Sequence, residues 1–118
     1  MVVDLDFALF EADHGDPSRA LQLAQAAYET APTIRAADAV AWAFHRLGRD
    51  AEAQPFVDEA LRLGSRDPLL RYHAGAVAAA LGGTETARRD LELALATDPG
   101  FSATGAEDAR RILATLGG

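Results

Sequence analysis

Stretches rich in Ala and Leu, with apolar residues at helical spacing, alternate with short polar breaks along this chain. The breaks fall at Asp13–Pro17, Thr30–Thr33, Gly48–Asp50, Gly64–Pro68, Gly82–Thr84 and Asp98–Thr104. Helix is the only secondary structure this pattern supports. It predicts seven helices, over about 2–13, 17–30, 34–47, 51–63, 68–81, 85–97 and 105–116. Asp16-Pro17 and Asp67-Pro68 each set a capping carboxylate before a proline at the first helical position. Asp50 and Thr84 are expected to cap two further helices, and Thr104 with Glu107 has capping-box spacing. Pro55 falls inside the fourth helix, where it removes one backbone hydrogen bond, so a bend or a late start is expected there. The short connections make successive helices antiparallel neighbours.

The pattern repeats. Gly15 with Ala20, Gly48 with Ala53 and Gly82 with Ala87 recur at a period of 33 to 34 residues, each followed seven residues later by Ala27, Ala60 or Ala94. A period of that length signals stacked supersecondary units. Small residues let paired helices approach closely. Ala74, Gly75 and Ala78 are expected to face Ala87, Leu91 and Ala94, with Leu81, Leu91 and Leu95 filling the flanks. Val40, Ala41 and Phe44 are expected to face Ala53, Val57 and Ala60, and Phe7 and Ala8 to face Ala20, Ala24 and Ala27.

This alternation resembles the tetratricopeptide repeat, a helix–turn–helix unit of about 34 residues. The third unit, Leu69 to Phe101, carries the likeness best, through Gly75, Leu81-Gly82, Ala87, Leu91, Ala94 and Asp98-Pro99. Pro32 and Pro99 stand where the family often closes a repeat. The second unit has Ser65 in place of a closing proline and Ala37 in place of the usual aromatic; the first has Asp4 and Glu11 where the family favours large apolar residues. The resemblance implies an all-α fold, a right-handed superhelix of three helix pairs (about 1–33, 34–67 and 68–101) with a C-terminal capping helix at about 105–116, in one domain. It implies a scaffold that holds a peptide or protein partner in a concave groove lined by the first helix of each pair, and no enzyme activity.

Composition narrows the partner. The net charge of −7 argues against nucleic acid and anionic membranes, which require concentrated positive surface. There is no Cys, so disulfides and thiolate metal sites are excluded. The longest nearly uncharged run, Ala74 to Gly83, is too short to span a bilayer. The N-terminus lacks a basic region and is interrupted by Asp4 and Asp6, so no signal peptide is read and a cytoplasmic location is expected. The bias toward Ala, Arg, Gly and Asp accords with a GC-rich bacterial source.

Projected onto the resemblance, Arg35, Asp38, Trp42, His45 and Arg46 of the second unit and Tyr72 and His73 of the third line the groove. Aromatic residues and Arg dominate binding energy at protein interfaces, which makes this set the expected partner surface. Trp42 and Tyr72 also suit packing between neighbouring repeats. All eleven cations are Arg, and Lys and Asn are absent, so the Lys/Asn clamp by which some family members hold chaperone tails cannot form; Arg35 or Arg46 remains able to hold a carboxylate bidentately. Asp38 and His45 are separated by two helical turns, about 10 Å, too far for one ion without a neighbouring helix. No His pair at four-residue spacing, phosphate loop or nucleophile elbow occurs, so no metal, cofactor or catalytic residue is expected. His14 is expected at a helix C-terminus, where it suits the dipole.

The two ends differ. The last helix sets Glu107, Asp108, Arg110 and Arg111 beside Ile112, Leu113 and Leu116, the wet outer face of a solenoid cap. The first helix carries Val2, Val3, Leu5, Phe7, Leu9 and Phe10 on more than one side, a pattern that requires cover on several sides. Val2, Val3, Leu5, Leu9 and Phe10 are therefore the expected contact for a second copy in a homodimer, or for upstream repeats if this chain is the C-terminal segment of a longer array.

Overall fold

The computed structural model describes residues 4–116 and is helical, with no strand among them. The elements are α1 (Leu5–His14), α2 (Pro17–Thr30), α3 (Ile34–Arg46), α4 (Asp50–Ala60), α5 (Pro68–Ala80), α6 (Thr84–Thr97) and α7 (Ala103–Leu116). They fall into two compact units that divide between Leu63 and Gly64. In the first unit α1 pairs with α2, both pack on α3, and α3 pairs with α4. In the second, α5 pairs with α6, and α7 covers both.

Most helix starts are set by side chains on the orphan amides of the first turn. Asp4 accepts from Asp6 N and Phe7 N, Asp16 from Ser18 N, Thr33 from Ala36 N, and Asp67 from Leu69 N and Leu70 N. The expected caps at Asp50 and Thr84 are corrected: each is the first helical residue, and the cap positions belong to Arg49 and Gly83. The reason is the turn that precedes them. α3 ends on Gly48 at φ +75°, with Gly48 N donating to His45 O (2.9 Å) and Arg49 N to Phe44 O (2.9 Å). α5 ends in the same way on Gly82 at φ +83°, with Gly82 N donating to Ala79 O (3.1 Å) and Gly83 N to Ala78 O (2.8 Å). This left-handed stop satisfies the last carbonyls of one helix with the amide of the residue that opens the next, so no separate cap intervenes. The Thr104–Glu107 box is also corrected: α7 begins at Ala103, and Ser102 Oγ accepts from Gly105 N at 3.1 Å. α4 runs unbroken from Asp50 through Pro55 to Ala60, so the late start is excluded.

The small-residue stripes form the core. Ala53, Val57 and Ala60 are buried with Val40, Ala41 and Phe44 in the first unit, and Ala87, Leu91 and Ala94 with Ala74, Gly75 and Ala78 in the second. Two packing assignments are corrected, Phe7 facing α2 and Leu81 on the flank of the third pair. In α1 the buried residues are Ala8 and Ala12, while Phe7 is 41% exposed. Leu81 sits at the α5 stop and is 47% exposed. Both large side chains lie on turns of helix that the close Ala-lined contacts leave uncovered.

Candidate functional site

In the first unit, the face of α3 that carries Arg35, Trp42 and Arg46 meets α1. The helical spacing of these residues, seven and four apart, keeps them on one side of the helix. Arg35 donates to Asp6 Oδ1 at 3.0 Å, with both side chains largely exposed, so the pair adds little to stability. Trp42 Nε1 donates to Asp13 Oδ1 at 2.8 Å, and Arg46 Nε donates to the Ala12 carbonyl at 3.0 Å. The last two contacts pin the C-terminal turn of α1, where unpaired carbonyls favour a cation. Trp42 is 1% exposed and Asp38 is also buried, so both serve as core here, whereas Arg35 and Arg46 stay exposed.

His45 stacks on Trp42 with ring centroids 4.8 Å apart, and its Nδ1 lies 2.5 Å from Asp50 Oδ1. The pair joins the last turn of α3 to the first residue of α4 across the Gly48 turn. A carboxylate at a helix start and an imidazole at a helix end each oppose the local dipole favourably. No group of three or more metal-ligating side chains gathers among the described residues.

In the second unit, Tyr72 and His73 are both buried on α5. The Tyr72 hydroxyl donates to Asp108 Oδ2 of α7 at 2.7 Å, and Asp108 also accepts from Arg111. The Tyr72 ring lies 5.5 Å from that of Phe101. Of the apolar N-terminal residues, Leu5 and Leu9 are half-buried and Phe10 is 56% exposed, its ring 5.2 Å from that of His14, the last residue of α1, with the planes tilted at 50°. Val2 and Val3 lie outside the described residues.

Two features escaped the sequence reading. Asp90 is buried and accepts from Arg71 at 3.1 Å and Arg89 at 3.4 Å, while Arg71 Nε also donates to the Ser65 carbonyl at 2.7 Å. The signal was present: Asp90 sits beside Leu91 on the Ala87–Ala94 stripe, and a charge on a buried stripe calls for a partner. The other feature is a cavity of about 370 Å³ lined by Gln25, Tyr28 and Glu29 of α2, Val40 of α3 and Phe56 of α4. Beside it the Tyr28 hydroxyl donates to Glu59 Oε1 at 2.9 Å, and Glu59 Oε2 is closed off from solvent without a hydrogen-bond partner among the described residues. The bond to Glu59, then burial, raises the Tyr28 hydroxyl above its usual value.

Compared with protein-family models, curated proteins and solved structures, the chain matches none. No helix among the described residues is long and apolar enough to cross a membrane.

Proposed function

We propose that the chain is a protein-interaction scaffold, a right-handed superhelix of three helical hairpins and a capping helix in the manner of tetratricopeptide repeats. It would hold a peptide or protein partner on the face formed by the first helix of each hairpin. The observation that carries this reading is one hairpin design used twice. The turns at Gly48 and Gly82 share a left-handed glycine and the same pair of backbone bonds, and each is followed five residues later by a fully buried alanine, Ala53 or Ala87. A unit repeated in this way builds a surface whose extent grows with the number of units. Arg35 and Arg46 give that face two exposed guanidiniums in a chain of net charge −7, which suits a partner segment bearing carboxylates.

The test is capture of partners from a bacterial lysate by the immobilised chain, against an Arg35→Ala/Arg46→Ala variant of unchanged helical circular dichroism. Loss of a captured protein supports the reading; identical capture by both proteins removes the arginine face from it. A second reading rests on Phe7 and Phe10, which α1 leaves exposed. There the N-terminal helix joins a second copy or further repeats, and light scattering of the wild type and Phe10→Asp reports it as a change of mass.

A further inference from the structure

We infer that the peptide bond between Arg62 and Leu63 is a processing site for an arginine-specific endoprotease, and that cleavage there leaves two fragments that each keep their helices. The site is independent of the scaffold reading and uses other residues. The chain's cations are all Arg, and of the eleven only Arg49, Arg62 and Arg66 lie outside a helix. A protease draws its substrate out as an extended strand and pairs with that strand's amides, so a cleavable arginine has to sit on backbone that is exposed and unpaired. The segment after α4 meets this requirement. Arg62, Leu63 and Gly64 are exposed, Leu63 at 71%. The amides of Leu63, Gly64, Ser65 and Arg66 donate to nothing among the described residues. The connection between α6 and α7 differs: Gly100 N and Phe101 N both donate back to Asp98, and it carries no arginine.

Local geometry selects Arg62 from the three. Arg49 is engaged: its amide donates to Phe44 O at 2.9 Å, and its guanidinium lies over the Phe44 ring at 4.9 Å and donates to both oxygens of Glu52. Arg66 precedes Asp67, whose amide donates to Ser65 Oγ (3.1 Å) and whose carboxylate accepts from Leu69 N (2.9 Å). The Ser65 carbonyl on its other side is held by Arg71 Nε at 2.7 Å, so drawing this stretch out undoes the start of α5. Arg62 has no such anchor after it. Gly64 follows at φ +71° with open space where a Cβ would stand. Before it, only the last turn of α4 must open, where Leu61 N donates to Val57 O (3.0 Å) and Arg62 N to Glu59 O (3.3 Å), and helix ends fray at little cost. An arginine side chain fits a specificity pocket that carries a carboxylate, and the exposed Leu63 is available to the neighbouring subsite. Water is the only co-reactant: its hydroxyl adds to the Arg62 carbonyl carbon, the C–N bond breaks, and the Leu63 nitrogen takes the proton. The cut falls one residue from the boundary at which the chain divides into two compact units, so the packed helices α1–α4 stay together on one side and α5–α7 on the other.

The experiment is limited digestion of the whole chain with trypsin, which in a chain without Lys acts only after arginine, followed over time by intact-mass spectrometry and far-UV circular dichroism. The first products are expected to be a single pair, residues 1–62 and 63–118, with the helical signal retained while the pair persists. Arg62→Gln should remove that early pair, and Arg66→Gln should leave it in place. Both positions are exposed, so both variants should keep the wild-type circular dichroism. A first cut after any other arginine, several cuts appearing together, or a chain that resists trypsin until it is unfolded overturns the site. An early pair that survives in Arg62→Gln overturns it as well. Loss of the helical signal in step with the first cut overturns the survival of folded fragments.

Discussion

Gly75 and Leu91 touch so closely across α5 and α6 that a Cβ on Gly75 would stand 2.6 Å from Leu91 Cγ and 3.3 Å from the Ala87 carbonyl. Leu91 is fully buried, and the nearest atom is its branch point rather than a flexible tip. Helix propensity favours Ala over Gly by about 1 kcal/mol, whereas overpacking a tight core costs about 1–3 kcal/mol. The clash wins. Gly75→Ala should therefore lower stability by up to about 2 kcal/mol in urea unfolding, and Leu91→Ala in the same chain should remove that penalty in a double-mutant cycle. A stabilised Gly75→Ala protein would contradict the close approach.

The two left-handed turns make a paired prediction. Gly48→Ala and Gly82→Ala meet no atoms within 4 Å but force an L-residue to φ +75° and +83°. Each should cost about 1–2 kcal/mol. Gly15 differs: its φ is −124°, outside the left-handed region, and an added Cβ would displace only the end of the Glu11 side chain from its exposed bond with Asp16 N (3.1 Å), so Gly15→Ala should cost less than either. Thermal melts of the three variants give the order, and a Gly15 penalty equal to the others would deny the first hairpin its distinct turn.

Helix number and order were legible because Asp-Pro starts and Gly stops punctuate the chain, as Asp67-Pro68 and Gly82 do at the two ends of α5. What the pattern hid was where one residue serves two helices. Arg49 and Gly83 lend their amides backward and their carbonyls forward, and neither is a recognised capping side chain. The groove projection named residue types that bind partners, but type does not reveal neighbours. Trp42 finds Asp13 from 29 residues away, and Tyr72 finds Asp108 from 36, contacts that depend on tertiary packing rather than local spacing. The Tyr28–Glu59 pair lay beyond reach for the same reason, since 31 residues separate them.

Asp90 should be the least replaceable carboxylate of the second unit. Asp90→Ala leaves Arg71 largely buried with its charge uncompensated, and breaking such a pair from one side costs about 3–5 kcal/mol. Replacing both residues, Asp90→Leu with Arg71→Met, should recover most of that loss, because an apolar pair needs no hydrogen bonds. Calorimetric melting temperatures of the single and double variants check this. If the single variant melted with the wild type, the buried pair would have no energetic role.

Trp42 offers a spectroscopic check on the first unit, since it is the chain's one tryptophan and is 1% exposed. Its native emission should be blue-shifted and poorly quenched by iodide. Trp42→Phe keeps an aromatic body while losing the donor to Asp13, and should cost about 1 kcal/mol. Trp42→Ala should cost about 3–5 kcal/mol and is for that reason a probe of folding, not of partner binding. Easily quenched native fluorescence would place the indole at the surface.

Tyr28 gives the chain a dependence on alkaline pH. Its bond to Glu59, then burial and the Glu59 charge, hold the hydroxyl proton above the ordinary value of 10.0. The folded protein therefore binds this proton more tightly than the unfolded chain does, so the contribution is complete below about pH 10 and is lost as the pH rises through the folded value. Tyr28→Phe has no such proton to lose. The stability difference between wild type and Tyr28→Phe, taken from urea unfolding at a series of alkaline pH values, should be constant near neutrality and shift against the wild type above about pH 10. A difference that stays flat across that range would mean Tyr28 and Glu59 are not joined in solution.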